Sequence, residues 1–290
     1  MPPAAGLAGT AGSIPARAGI GLRAPHYEAL LRERPDVGWL EAHSENYFGA
    51  GGAQLRTLER LRIDYPIALH GVGLSLGSSD PLDVAHLRKL ARLVERIAPV
   101  FVSEHLSWSS VGQRHANDLL PLHYTEEALR HLIERVGQVQ DTLGRRVLVE
   151  NVSSYVEFSC SEMPEWQFLA ALAHEADCGI LLDVNNIFVS AHNHGWNALQ
   201  YLQGIPASAV REMHLAGHTA RRVGGRELLV DTHSTQVSEA VWRLYEAAVR
   251  RFPRAPTLIE WDSDIPPLEV LCAQAARADR CREASDAQAA

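Results

Sequence analysis

The sequence predicts a TIM barrel: eight βα units in a single domain. Three observations carry this. Short apolar runs alternate with helical patterns eight times between residues 18 and 280, no linker-like break interrupts them, and six of the runs end in a His, Asp or Glu. Eight βα units in about 260 residues is the length of such a barrel, whose sites lie on its C-terminal face. A doubly wound sheet would alternate too, but it offers one or two switch points rather than a polar residue at nearly every strand end.

Ala18–Arg23 reads as the first strand, and Pro25–Arg34 as its helix, with Pro25 at a first-turn position. Val37–His43 is the second strand, followed by a helix over Gln54–Ile63. Pro66–His70 is the third, and in the helix Leu82–Ala98 the residues Leu87, Leu90, Val94 and Ile97 make one apolar stripe. Val100–His105 is the fourth. The connection Leu106–His123 is long enough to be a functional loop. Thr125 caps a helix running to Leu143, and Arg146–Glu150 is the fifth strand. Glu165–Ala176 is a helix and Gly179–Val184 the sixth strand. A shorter helix at Trp196–Leu202 leads to the seventh strand, Val210–Leu215. The helix Thr235–Phe252, the eighth strand Thr257–Glu260 and a last helix Pro267–Arg280 complete the set. Residues 1–17, rich in Ala, Gly and Pro, and residues 281–290 read as disordered tails around a barrel domain over 18–280.

Composition narrows the function. A net charge of −8 argues against nucleic acid, which needs a basic face. No apolar run approaches membrane-spanning length, and the N-terminus lacks the basic start and apolar centre of a signal peptide. Cys160, Cys178, Cys272 and Cys281 show no metal or disulfide spacing, so they read as free thiols in a reducing cytoplasm.

The chemistry lies at the strand ends: His70, His105, Glu150, Asp183, His214 and Glu260. One histidine in a strand is usually core, but six ligand-type residues ending six strands converge in a barrel. In Ile180-Leu-Leu-Asp-Val-Asn-Asn186, strand alternation places Asp183 and Asn185 on one face. A buried carboxylate there needs a positive partner. Asp231-Thr-His233 adds two more ligand types from a loop. Mixed imidazole and carboxylate donors suit zinc, manganese or non-haem iron, and their number exceeds what one ion uses. Two or three metals, with Glu150 between ions, follow.

These segments also carry a resemblance. Glu45-Asn-Tyr47, His70-Gly-Val-Gly-Leu-Ser-Leu76, Ser103-Glu-His-Leu-Ser107, Asn117-Asp-Leu-Leu-Pro121 and Glu150-Asn-Val-Ser-Ser-Tyr155 resemble successive motifs of one family. So do Leu182-Asp-Val-Asn-Asn186, His214-Leu-Ala-Gly-His218, Asp231-Thr-His233 and Ile259-Glu-Trp-Asp262. The family is the multinuclear non-haem iron-dependent oxidases, of which the methanobactin-biosynthesis oxidase is a member; it is also catalogued as UPF0276. The resemblance implies two or three iron ions of mixed Fe(II)/Fe(III) state, O2 as co-substrate and cysteine in a ribosomally made precursor peptide as target. It also implies a companion protein that binds the leader. By the same resemblance, one iron takes Glu150, Asp183, His214 and Glu260. A second takes His70 and His105 and shares Glu150, and a third takes Asp231, His233 and Asn185.

Other motif residues receive lesser roles. Glu45 and Asn46 anchor substrate or hold the loop after the second strand. His218 orients His214 or contacts substrate, and Asp262 orients substrate or acts as base alongside a catalytic Glu150. Arg221-Arg222 adjoins the site loop, where a peptide could dock. Two rival functions keep the same ligands: a xylose-isomerase-like hydrolase or isomerase of the zinc-endonuclease type, and a non-catalytic metal-binding partner protein.

Overall fold

The computed structural model describes residues 14, 17–112 and 114–289; most of the expected N-terminal tail lies outside them. The chain contains twelve strands among these residues. They are β1 (Gly19–Gly21), β2 (Leu40–His43), β3 (Ile67–Gly71), β4 (Val102–His105), β5 (Trp108–Val111), β6 (Arg114–Leu120), β7 (Leu148–Glu150), β8 (Gly179–Asp183), β9 (Val210–Leu215), β10 (Thr219–Val223), β11 (Arg226–Val230) and β12 (Thr257–Ile259). Eight close into a parallel barrel in the order β1-β12-β9-β8-β7-β4-β3-β2, the predicted fold. The helices are α1 (Tyr27–Glu33), α2 (Ala53–Asp64), α3 (Val84–Ile97), α4 (Glu126–Leu143), α5 (Glu165–Glu175), α6 (Val184–His194), α7 (Ala198–Gly204), α8 (Glu239–Arg251) and α9 (Leu268–Ala289).

Local chemistry fixes the helix ends. Asp83 accepts from the Ala85 and His86 amides at the start of α3, and Thr125 from Ala128 at the start of α4. Gly144 closes α4 at φ 63°, the left-handed conformation that glycine adopts most cheaply. The main core fills the space between strands and helices. A separate small cluster of Trp39, Ala68 and Leu258 forms an apolar floor inside the barrel. A Cβ on Gly19 would come within 2.5 Å of the Trp39 ring, so glycine is what lets the indole lie across that floor.

Four expectations change. The long connection after β4 carries the antiparallel hairpin β5–β6, and the loop after β9 carries a second hairpin, β10–β11. Residues after Asp183 form α6 at once, where no helix was expected, because Asp183 caps it by accepting from the Asn186 amide at 2.7 Å. Residues 281–289, expected as a tail, continue α9: they hold Ala, Glu, Arg and Gln with no Gly or Pro, and Arg282 bonds the Ala255 carbonyl. No helix among the described residues is long and apolar enough to cross a membrane.

Candidate metal centre

Parallel register brings the strand ends side by side. His43 lies opposite His70, His105 opposite Glu150, and Asp183 opposite His214. Strand alternation then turns these side chains inward above the apolar floor.

The first cluster is His70, His105 and Glu150. His105 Nδ1 lies 3.0 Å from the Gly71 carbonyl, which can only accept, so Nδ1 carries a proton and Nε2 is the nitrogen left to face a metal. Ser103 Oγ, which donates to the Leu69 carbonyl at 3.5 Å, can accept from His70 Nδ1 at 2.7 Å and so leave Nε2 to face a metal. The two Nε2 atoms stand 3.3 Å apart, and Glu150 Oε2 lies 3.3 Å from one and 3.2 Å from the other. Three donor atoms facing one point favour a shared cation.

The second cluster uses the other Glu150 oxygen. Oε1 lies 3.8 Å from His214 Nδ1, which is 3.2 Å from Glu260 Oε2. Glu150, Asp183 and His214 offer atoms within 4.8 Å of one another, as do Asp183, His233 and Glu260. His233 Nδ1 reaches Glu260 at 3.5 Å, and its Nε2 reaches Asp231 at 2.8 Å. Glu150 Oε2, Asp183 Oδ2, His214 Nδ1 and His233 Nε2 are all buried, and among the described residues none meets a neighbour at a hydrogen-bonding angle, despite the short distances. Buried polar atoms are normally satisfied, so orphans aimed at one another fit metal ions.

Charge is crowded here. Burial pushes the Glu150 carboxyl well above its ordinary range. Burial and Asp231 push Asp183 up to about 7. Burial opposes charge on His105, yet Glu150 and Glu104 raise its pKa to about 9. The metal-free Glu150–His105 pair therefore shares a proton at pH 7 that a metal must displace. Metal uptake at pH 7 should release protons, and apparent affinity should climb up to about pH 9. Titration calorimetry in two buffers of different ionisation enthalpy checks this; identical heats would contradict it.

The remaining expected residues sort as follows. Asn185 is helical, so strand alternation does not apply to it. Its amide donates to Asp231 at 2.7 Å and its oxygen meets His218 Nδ1 at 2.7 Å, which makes it a bridge between those residues rather than a free donor. His218 thus orients Asn185, not His214. Glu45 accepts from the Val72 and Gly73 amides, both at 3.0 Å, and holds the loop after β3. It does not line the cavity above the clusters, and neither does exposed Asn46. Asp262 does line it, bound by Arg23 Nε at 2.7 Å and His233 Nδ1 at 3.2 Å. Burial and Glu260 work to raise its pKa, but Arg23 and His233 outweigh them and hold it low.

Sequence reasoning missed Arg23, His43, Glu41 and Glu212. Arg23 Nη2 lies 3.4 Å from Glu260 Oε1 and 3.1 Å from His43 Nε2. Glu41 and Glu212 are fully buried and face His214 Nε2 at 3.3 and 3.5 Å. Burial and Glu41 push the Glu212 carboxyl up to about 8, so it holds a proton at neutral pH. The signal existed: Glu41-Ala-His43 and Glu212-Met-His214 both place an acid and a histidine two apart on a strand.

The model of the family described as "RiPP precursor modification enzyme MbnB/TglH/ChrH" matches residues 17–283. The chain belongs to this family. It is the family that the motif set resembles, and it is one of enzymes acting on ribosomally made precursor peptides. A UPF0276 protein of Anaeromyxobacter sp. (strain Fw109-5) is 55% identical over 260 residues, covering 90% of each chain. One from Acaryochloris marina is 52% identical over 262 residues, covering 90% of this chain and 93% of the relative. Among solved structures, an L-ribulose 3-epimerase superposes with a TM-score of 0.60 at 14% identity, covering 95% of this chain and 97% of its own. A xylose isomerase-like TIM barrel protein from Mycobacterium smegmatis, in complex with magnesium, gives 0.59 at 13% identity, covering 93% and 97%. These structures share the fold.

Proposed function

We propose that the chain is an iron- and O2-dependent oxidase acting on cysteine in a ribosomally made precursor peptide. The observation that carries this reading is Glu150, whose two oxygens face two different ligand clusters. Two sites sharing one carboxylate suit a multinuclear centre. His70, His105 and Glu150 would hold one iron, and Glu150, Asp183, His214 and Glu260 a second. Asp231 and His233 would be the ligands for a third. Bound iron would supply the one-electron and O2 chemistry and would favour the thiolate form of a cysteine.

The protein's own groups position the substrate. The cavity above the clusters is about 220 Å³, below the range typical of whole small-molecule sites. It admits one or two side chains while the rest of a peptide stays outside. Asp262, held ionised by Arg23, is a weak base at neutral pH and acts by orienting His233 and the incoming group. The cell would supply the peptide with its leader held by a companion protein.

The test uses a cysteine-bearing precursor peptide with its leader, a companion protein that binds the leader, ferrous iron and O2. The parent peptide should change mass at cysteine, and a Cys→Ser peptide should bind and stay unmodified. Equal oxidation of both would rule out cysteine as the reacting residue.

A further inference from the structure

Residues 219–230, Thr-Ala-Arg-Arg-Val-Gly-Gly-Arg-Glu-Leu-Leu-Val, fold back through Gly224 and Gly225 at φ 57° and 81°. A two-residue loop of this kind makes Val223 and Arg226 the closing hydrogen-bonded pair. By alternation, Arg221–Leu228 and Thr219–Val230 also exchange backbone bonds, whereas Arg222–Glu227 and Ala220–Leu229 do not. Leu229 bears this out independently. Its N–H donates to Asn193 Oδ1 at 2.9 Å and its carbonyl accepts from Asn193 Nδ2 at 3.0 Å, so both groups point away from β10.

The matching groups on β10, the N–H and C=O of Ala220 and Arg222, must then point away from β11. Both residues are exposed, and no partner for these groups is seen among the described residues. Asn193 from α6 therefore seals one edge of the hairpin while the other stays open. Open edges are normally blocked because they template pairing with another chain. This one is also basic on an acidic protein. Arg221, Arg222 and Arg226 are exposed with no acid at ion-pair distance among the described residues, while Glu227 faces His192 at 3.6 Å. The hairpin's base is the site itself: β10 starts directly after His218, and β11 runs directly into Asp231 and His233.

We propose that the open edge of β10 takes up an extended, acidic segment of the precursor peptide as a third strand. Backbone bonds to Ala220 and Arg222 hold it in register, Arg221 and Arg226 on one face of the hairpin meet its carboxylates with Arg222 adding positive charge from the other face, and its end is delivered to the cavity mouth. This rests on the reading that the chain modifies a peptide.

The test uses the full-length, metal-loaded protein and the fluorescein-labelled probe Glu-Val-Glu-Val-Glu-Thr-Gly-Cys-Gly, followed by anisotropy. The parent should bind this probe and bind a Lys-for-Glu version at least about tenfold more weakly, a difference that shrinks with salt. Ala220→Pro removes an outward N–H without touching the β10–β11 ladder, so it should weaken binding about tenfold with metal content unchanged. The pair R221E and R222E should reverse the preference toward the Lys probe. Failure of the parent to bind, or equal binding by parent and variants, would overturn the docking edge. Turnover of a leader-bearing cysteine precursor peptide, run in parallel by mass, separates the two ideas. Unchanged turnover in the hairpin variants sinks the edge alone; no modification by any protein sinks the peptide-oxidation reading.

Discussion

Glu150→Ala should cost the protein more than one metal ion per chain, whereas Asp231→Ala should cost only one. Glu150 ends a rigid barrel strand and is fully buried, with one oxygen on the His70–His105 side and the other toward His214. Its removal takes a donor from both positions and leaves two imidazole lone pairs facing each other. Asp231 stands at the end of a protruding hairpin, partly exposed, and contacts His233 alone among the proposed ligands. Metal analysis of the two folded variants decides the point: equal losses would contradict a bridging Glu150.

Glu41→Gln should weaken metal retention by about 10–100-fold, the usual effect of losing a carboxylate that orients a ligand histidine. His214 is fully buried, and its Nε2 faces only Glu41 and Glu212 within salt-bridge distance among the described residues. Those two side chains flank Nε2 and leave Nδ1 aimed at Glu150 and Glu260. The glutamine keeps the size but replaces one carboxyl oxygen by an NH2 group that cannot accept from Nε2–H. Competition against a chelator measures the effect, with circular dichroism to show that the fold is kept. Retention equal to the parent's would mean that Glu41 does not act through His214.

Much of this was legible in the sequence. Strand ends announce themselves when an apolar run meets a His or Glu, and parallel register does the rest, which is why His70, His105, Glu150, Asp183, His214 and Glu260 converge as expected. Asn185 was misplaced because periodicity cannot tell where a strand passes directly into a helix; only the Asp183 cap reveals it. Glu41 and Glu212 were passed over because a mid-strand acid looks like a surface residue until the barrel closes around it. His43 and Arg23 end strands by the same rule as the others, yet they sit before the main motifs and were passed over. The two hairpins lay hidden in stretches whose polarity resembles loop, since their strands are largely exposed.

Iron quantification on protein purified without oxygen tests the multinuclear centre most directly. Two clusters sharing Glu150, and a third around His233, offer room for more than one metal ion, and the proposed function predicts more than one iron per chain. A single zinc with no iron, persisting after anaerobic loading with ferrous salt, would contradict it.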